Sequence, residues 1–271
     1  MTENTRTIFA QRATDALLTA HHQGGWITTT IMANLFWPKS PTRKKYAERL
    51  MAEMIRQGLL LKRQLPNRMT AGVITTQGCR YVNEAYYKAA SQLLTAEIRP
   101  GTDWGSTKTG TWEPPASWRH QIRAGTFVTW GSHSFSKPLN MLFDTQIQRA
   151  NPTALKRPDG ILYRETDKGN VGLWIEVESA RKTGPEMTKL VEALVDVQSG
   201  HSPQMSAFDQ YQDRIVTTCT QTALVVPKDY SIEAFRRAVA KRLTGQPLKI
   251  MIARDMDDGQ FSTSNETIDP L

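Results

Sequence analysis

The sequence predicts an α/β protein, α+β when counted over the whole chain, in two folded parts. Three observations lead to that expectation. Between Arg157 and Lys182 two short apolar runs flank a polar turn, and helix, strand, helix and strand patterns follow. The first ninety residues show three helical patterns, a hairpin pattern and a fourth helix. Between these parts lies a stretch rich in Gly, Thr, Pro and Ser, which reads as a linker. At 271 residues the chain has room for about two domains of ordinary size. The boundaries read from the pattern are 1–92 for the first domain, 93–114 for the linker, 115–257 for the second domain and 258–271 for a tail.

In the first part, Phe9, Ala13, Ala16, Leu17 and Ala20 share one face at helical spacing, and Gly24-Gly25 ends that helix. Trp26-Ile27 reads as a short connection, and Thr28 or Thr29 can cap a second helix that ends at Phe36-Trp37-Pro38. A third helix starts at Arg43, with Tyr46, Leu50 and Met54, joined by Ala47 and Met51, turned inward, and Gly58 stops it. Leu59 to Lys62 and Val73 to Thr75 read as two strands joined by a polar segment, and Thr76-Gln77-Gly78 opens a further helix. This order resembles a winged helix-turn-helix domain. The resemblance implies that the third helix enters the major groove of double-stranded DNA, with the hairpin as its wing. Arg43, Lys44, Lys45 and Arg49 on the helix, with Lys62, Arg63 and Arg68 in the hairpin, are then the DNA-binding residues.

Charge placement agrees with a polyanion partner. Residues 1–90 hold 13 Lys/Arg and five Asp/Glu, a difference of +8, while the remainder holds 21 of each sign. The whole net charge of +8 therefore sits on the first third of the chain. Phosphate attraction follows, whereas base readout stays open.

In the second part, Gly160-Ile161-Leu162-Tyr163 and Gly172-Leu173-Trp174-Ile175 flank Asp167-Lys168-Gly169-Asn170, which is hairpin punctuation. Asp159 opens the first strand, and Glu176 and Glu178 close the second. Residues two apart on a strand share a face, so the two glutamates point the same way and Asp159 can approach them across the hairpin. Carboxylates brought together call for a cation, and hard divalent ions such as Mg²⁺ or Mn²⁺ take oxygen ligands. Solvated strand-end acids are the plain alternative. Beyond the hairpin, Met187, Leu190, Val191, Leu194 and Val195 are spaced as a helix. Thr222 to Val226 reads as a buried strand, Ile232 to Leu243 as an amphipathic helix and Leu248 to Ala253 as a strand. Thr126 to Trp130 is strand-like, and Gln204 to Asp213 reads as a polar loop or short helix.

Pro158-Asp159 followed by Glu176-Val177 resembles the PD-(D/E)XK nuclease superfamily, whose signature has a lysine where this chain has Glu178. The element order from the hairpin onward agrees, over about residues 115–255. The resemblance implies a mixed-sheet α/β domain in which Asp159, Glu176 and Glu178 hold Mg²⁺ or Mn²⁺ and Lys182 offsets phosphate charge in endonuclease cleavage. Arg181 and Lys189 are further candidates for the missing lysine. Members often add an acidic residue from a helix before the Pro-Asp strand, and the candidates here are Asp144 and, with different chemistry, His120. A lone histidine reads first as structural.

The two parts together resemble the bacterial replication-relaxation family of plasmid and mobile-element proteins. That resemblance implies a DNA-binding protein, with other proteins of a mobile-element complex and a homodimer as open partners. A nuclease subunit of a transposition or defence complex, and a non-catalytic replication, mobilisation or transcription factor with an inactive nuclease fold, remain open beside the enzyme. Two cysteines, Cys79 and Cys219, make neither a disulfide framework nor a zinc motif. No stretch reads as a leader or a membrane span, so the expected location is cytoplasmic.

Overall fold

The computed structural model describes residues 3–89, 104–154, 156–178, 184–201, 204–208 and 214–270. It is a mixed α/β structure whose contacts divide into two units, Met1–Trp118 with Phe208–Asp213, and Arg119–Ala207 with Arg214–Leu271.

The first unit begins with helix α1 (Glu3–His22), whose Ala13, Ala16, Leu17 and Ala20 are fully buried. Gly24 and Gly25 then take φ of +92° and +101°, which side chains disfavour, and the Gly25 N–H closes the helix end on the Ala20 carbonyl at 2.7 Å. Trp26 and Ile27, expected as a connection, instead form strand β1 (Trp26–Thr28). Three residues are too few to show alternation, and burial of both side chains holds the strand in place. Thr28 caps helix α2 (Thr29–Phe36), its hydroxyl accepting the Ile31 N–H at 3.3 Å.

Helix α3 (Arg43–Arg56) buries Ala47, Leu50, Met51 and Met54. Tyr46, expected inward, is 42% exposed, with its ring against Trp37 at 5.6 Å. Strands β2 (Leu60–Gln64) and β3 (Thr70–Ile74) form a hairpin, and β1 pairs with the far edge of β3. Helix α4 (Thr76–Ala89) follows, its start fixed by Thr75, whose hydroxyl donates to the Gly58 carbonyl at 2.6 Å and accepts the Gly78 N–H at 2.9 Å.

The linker expected over 93–114 lies outside the described residues up to position 103. From there the structure differs from the expectation. Strands β4 (Ser106–Lys108) and β5 (Thr111–Glu113) pair, and Trp104 stacks on Trp26 with ring centroids 4.6 Å apart. One aromatic anchor organises a stretch whose composition reads as loop.

The second unit is a seven-stranded sheet between helices. Its strands are β6 (Asn140–Phe143), β7 (Gly160–Thr166), β8 (Gly169–Val177), β9 (Met205–Phe208), β10 (Arg214–Val226), β11 (Leu248–Asp255) and β12 (Phe261–Ile268). The order is β12-β11-β10-β8-β7-β6, with β9 also on β10; β8, β10 and β11 run parallel and the flanking pairs are antiparallel. Helix α5 (Trp118–Ser134) covers one face, packing Ala124, Phe127 and Val128 on Leu162, Ile175 and Val225. Helices α7 (Gly184–Gln198) and α8 (Ile232–Ala240) cover the other, where Leu190, Leu194 and Phe235 meet Ile161, Trp174 and Leu224. The short helix α6 (Asp144–Ala150) links β6 to β7.

Two further expectations are corrected. Thr126 to Trp130 lies inside α5: burial of Thr126, Phe127, Val128 and Thr129 outweighs their strand propensity, and the Thr129 hydroxyl returns to the Gly125 carbonyl at 2.9 Å. The tail expected over 258–271 contains β12, in register with β11 from Leu248↔Ile268 to Asp255↔Phe261. Only its ends, Phe261 and Ile268, are buried, so backbone pairing places it and no apolar alternation shows. Between 204 and 213, β9 replaces the expected loop up to Phe208, and positions 209–213 lie outside the described residues.

Close packing of α5 on β7 yields a test. A Cβ on Gly160 would lie 2.5 Å from Val128 Cγ2, a stiff β-branched neighbour. Gly160→Ala should destabilise the second unit by roughly 1–3 kcal/mol in urea unfolding, and an unchanged midpoint would contradict this packing.

Candidate functional site

Register assembles the site at one end of the second sheet. Phe143 pairs with Gly160 and Gly160 with Ile175. One step beyond those pairs stand Asp144, the first residue of α6, Asp159, just before β7, and Glu176 within β8. The sequence placed Asp159 beside Glu176; the β6 register adds Asp144.

Asp159 is held from two sides. Its backbone N–H donates to the Ile175 carbonyl at 2.8 Å, continuing the ladder. Its Oδ2 accepts the Val177 N–H at 2.7 Å, and its Oδ1 lies 2.9 Å from His120 Nε2 on α5. Burial opposes its charge, but the His120 bond, the charges of His120 and Lys156 and the Val177 N–H outweigh it and hold the carboxyl below its ordinary value.

Glu176 is fully buried. Its Oε1 accepts the Trp174 indole N–H at 2.7 Å, and its Oε2 accepts Lys156 Nζ at 2.6 Å. Burial, reinforced by the Asp159 charge, pushes its carboxyl up to about 7, against the opposing pull of Lys156 and Trp174. Asp144, exposed at the start of α6, is also raised, first by desolvation and then by Asp159, with His120, Arg157 and Lys156 opposing. The Asp159 charge therefore acts on both Asp144 and Glu176.

Glu178 shares the Glu176 face but is 1% exposed, and its N–H donates to the Val225 carbonyl at 2.8 Å. Lys182 and Arg181 lie outside the described residues, and Lys189 is exposed on α7. Among the described residues, no three His, Cys, Asp or Glu side chains gather in a set that could hold a metal ion. The donor chemistry of Asp144 and Asp159 nonetheless suits a hard divalent ion, and a cation would relieve the Asp159 charge that raises Asp144 and Glu176. At Glu176 such an ion has to displace the Lys156 ammonium.

Sequence reasoning missed Lys156, Arg157 and Trp174. Arg157 pins the loop before Asp159, its Nη1 donating to the carbonyls of Asn151 at 3.3 Å and Ala154 at 3.2 Å. Both cations directly precede Pro158-Asp159, and Trp174 stands two residues before Glu176 on the same face, so a signal was present in each case.

On the first unit, Lys44, Lys45 and Arg49 are exposed on α3, and Lys45 and Arg49 are one turn apart on one face. Arg43, intermediate in exposure, reaches α2, its Nη1 donating to the buried Asn34 Oδ1 at 3.0 Å. In the hairpin, Lys62 and Arg68 are exposed, Arg68 in the left-handed region at φ +65°. Arg63 is half-buried with its guanidinium 5.4 Å over the Trp112 ring. Cys79 and Cys219 are buried free thiols, pushed by burial up to about 11 and about 12. Among the described residues no helix is long and apolar enough to cross a membrane.

Compared with known proteins, the chain matches no family model, no curated protein and no solved structure.

The Glu176 shift has a definite sign. Its value rises from 4.5 to about 7, so between those pH values the folded chain holds a proton that the unfolded chain has lost. This group therefore lowers stability as pH climbs through that window, by on the order of 3 kcal/mol. Glu176→Gln should flatten that decline in unfolding titrations between pH 4.5 and 7. A variant curve parallel to the wild type would show that Glu176 titrates normally.

Proposed function

We propose that the protein binds double-stranded DNA through a winged helix-turn-helix formed by the first unit, and that the second unit is a PD-(D/E)XK-like domain with a metal-dependent endonuclease centre. The observation that carries the reading is the row Asp144, Asp159 and Glu176, set by strand register at one sheet end with Lys156 against it. The hairpin, helix, strand, helix, strand order that presents the row agrees with it. The resemblance to plasmid and mobile-element replication-relaxation proteins agrees with a DNA substrate.

Asp144 and Asp159 would hold Mg²⁺ or Mn²⁺, with Glu176 next in the row. The chemistry such an ion supplies when bound is Lewis-acid stabilisation of phosphodiester charge and activation of water. His120 and the Val177 N–H fix the Asp159 carboxylate in one orientation, so its oxygens do not have to be ordered on binding. Lys156 supplies positive charge beside the row. On the first unit, Lys44, Lys45 and Arg49 contact phosphates along the groove, and Lys62 and Arg68 do so from the hairpin. Arg43 is better suited to bracing α2 against α3 than to reading bases.

A second reading, a non-catalytic DNA-binding factor, is favoured by one specific observation. Both Glu176 oxygens already have protein donors, and Glu178 stands where the motif has lysine. Chemistry separates the two.

Wild-type protein should nick or linearise supercoiled plasmid with Mg²⁺ or Mn²⁺ and not with EDTA, and Asp159→Asn should abolish cleavage while leaving DNA affinity unchanged. No cleavage with either ion selects the non-catalytic factor. Replacing Lys44, Lys45 and Arg49 with Ala should weaken binding and reduce the slope of log affinity against log salt by about 0.9 for each phosphate that is no longer neutralised. An unchanged slope in gel shifts at several salt concentrations would remove the groove assignment.

A further inference from the structure

We infer that Lys156 is the resident counter-cation of the carboxylate row and competes with a divalent metal ion for Glu176. This deepens the metal-centre reading above and rests on it.

The inference starts from Glu176. A carboxylate with no solvent exposure has to be neutralised within the protein, because its ionised form has lost all hydration. Two groups do this: the Trp174 indole N–H takes Oε1 at 2.7 Å, and the Lys156 ammonium takes Oε2 at 2.6 Å. Only the second carries charge. That charge also reaches Asp159 and Asp144, favouring the ionised form of both. One ammonium thus stands electrostatically where a bound cation would.

The two partners differ in mobility. Glu176 lies within β8, with Trp174 fastened to one oxygen. Lys156 comes from the loop between α6 and β7, belongs to no helix or strand, and has a side chain 29% exposed. A lysine stem is flexible and its ammonium has three donors that need no fixed plane. When a divalent ion takes Oε2, Lys156 is therefore the partner that leaves, and its open side is toward solvent. A phosphodiester arriving there would meet the released ammonium. Exchange of a single charge for a double one also matches the row, in which the Asp159 charge repels those of Asp144 and Glu176.

A purely structural ion pair predicts something else. It would be lost on removing Lys156, at a cost in stability, with no gain in metal affinity. Calorimetric titration of the full chain with MnCl₂ separates the two, using wild type, Lys156→Met and Lys156→Gln. The glutamine keeps a hydrogen-bond donor toward Glu176 without the charge, so the comparison survives if the methionine variant does not fold. Both variants should bind Mn²⁺ about tenfold more tightly than wild type, within the usual range for coupled sites. Their melting temperatures should fall in EDTA and rise more on adding Mn²⁺ than the wild type does. Equal Mn²⁺ affinity in wild type and variants would overturn the competition and leave the metal centre standing. No Mn²⁺ binding by any of the three proteins at millimolar concentration would remove the metal centre and this inference together.

Discussion

Asp159 joins helix to sheet in the second unit, and the rest of the site depends on that joint. One oxygen meets His120 on α5, and the other meets the Val177 N–H at the end of β8. The first contact ties the helix to the sheet end, and the second extends β7–β8 pairing one step past Gly160. Gly160 lets α5 approach closely enough for the first, since a Cβ there would strike Val128. With Asp159 fixed, register places Asp144 on one side and Glu176 on the other. A lateral slip of one residue would turn Glu176 to the opposite face.

The electrostatics follow from that placement. Desolvation raises the cost of ionising Glu176 and Asp144, and the Asp159 charge raises it further at both. The protein answers with His120 toward Asp159, Lys156 toward Glu176 and Arg157 near Asp144. Buried ion pairs of this kind contribute little net stability, because desolvation offsets most of their attraction. Their presence at one sheet end fits a site under chemical constraint better than a need for stability. The basic surface of the first unit is different in kind: Lys44, Lys45 and Arg49 are exposed on α3, where salt screens their charges far more than it screens buried pairs.

How much of this was legible in the sequence depended on the range of the forces involved. The β7–β8 hairpin and the helices α7 and α8 announce themselves through local periodicity, so Asp159 and Glu176 could be paired from spacing alone. Asp144 could be named only as a candidate, because the β6–β7 pairing that sets it beside Asp159 spans a helix and a loop. Lys156 gave no periodic signal, since a loop residue's partner is chosen by tertiary geometry. The same cause explains the misread elements. Thr126 to Trp130 has strand composition but is buried as helix, Trp104 anchors a segment composed like a linker, and β12 is polar because it lies at a sheet edge. Tyr46 fitted an inward helical position, yet its ring lies against Trp37.

The central claim is that strand register makes Asp144, Asp159 and Glu176 one cation site. The most direct measurement is anomalous diffraction from crystals of the protein soaked in MnCl₂. The account predicts one manganese peak coordinated by the Asp144, Asp159 and Glu176 carboxylates, with Lys156 moved away from Glu176. Soaked crystals with no peak at that sheet end and the Lys156–Glu176 bond intact would contradict it.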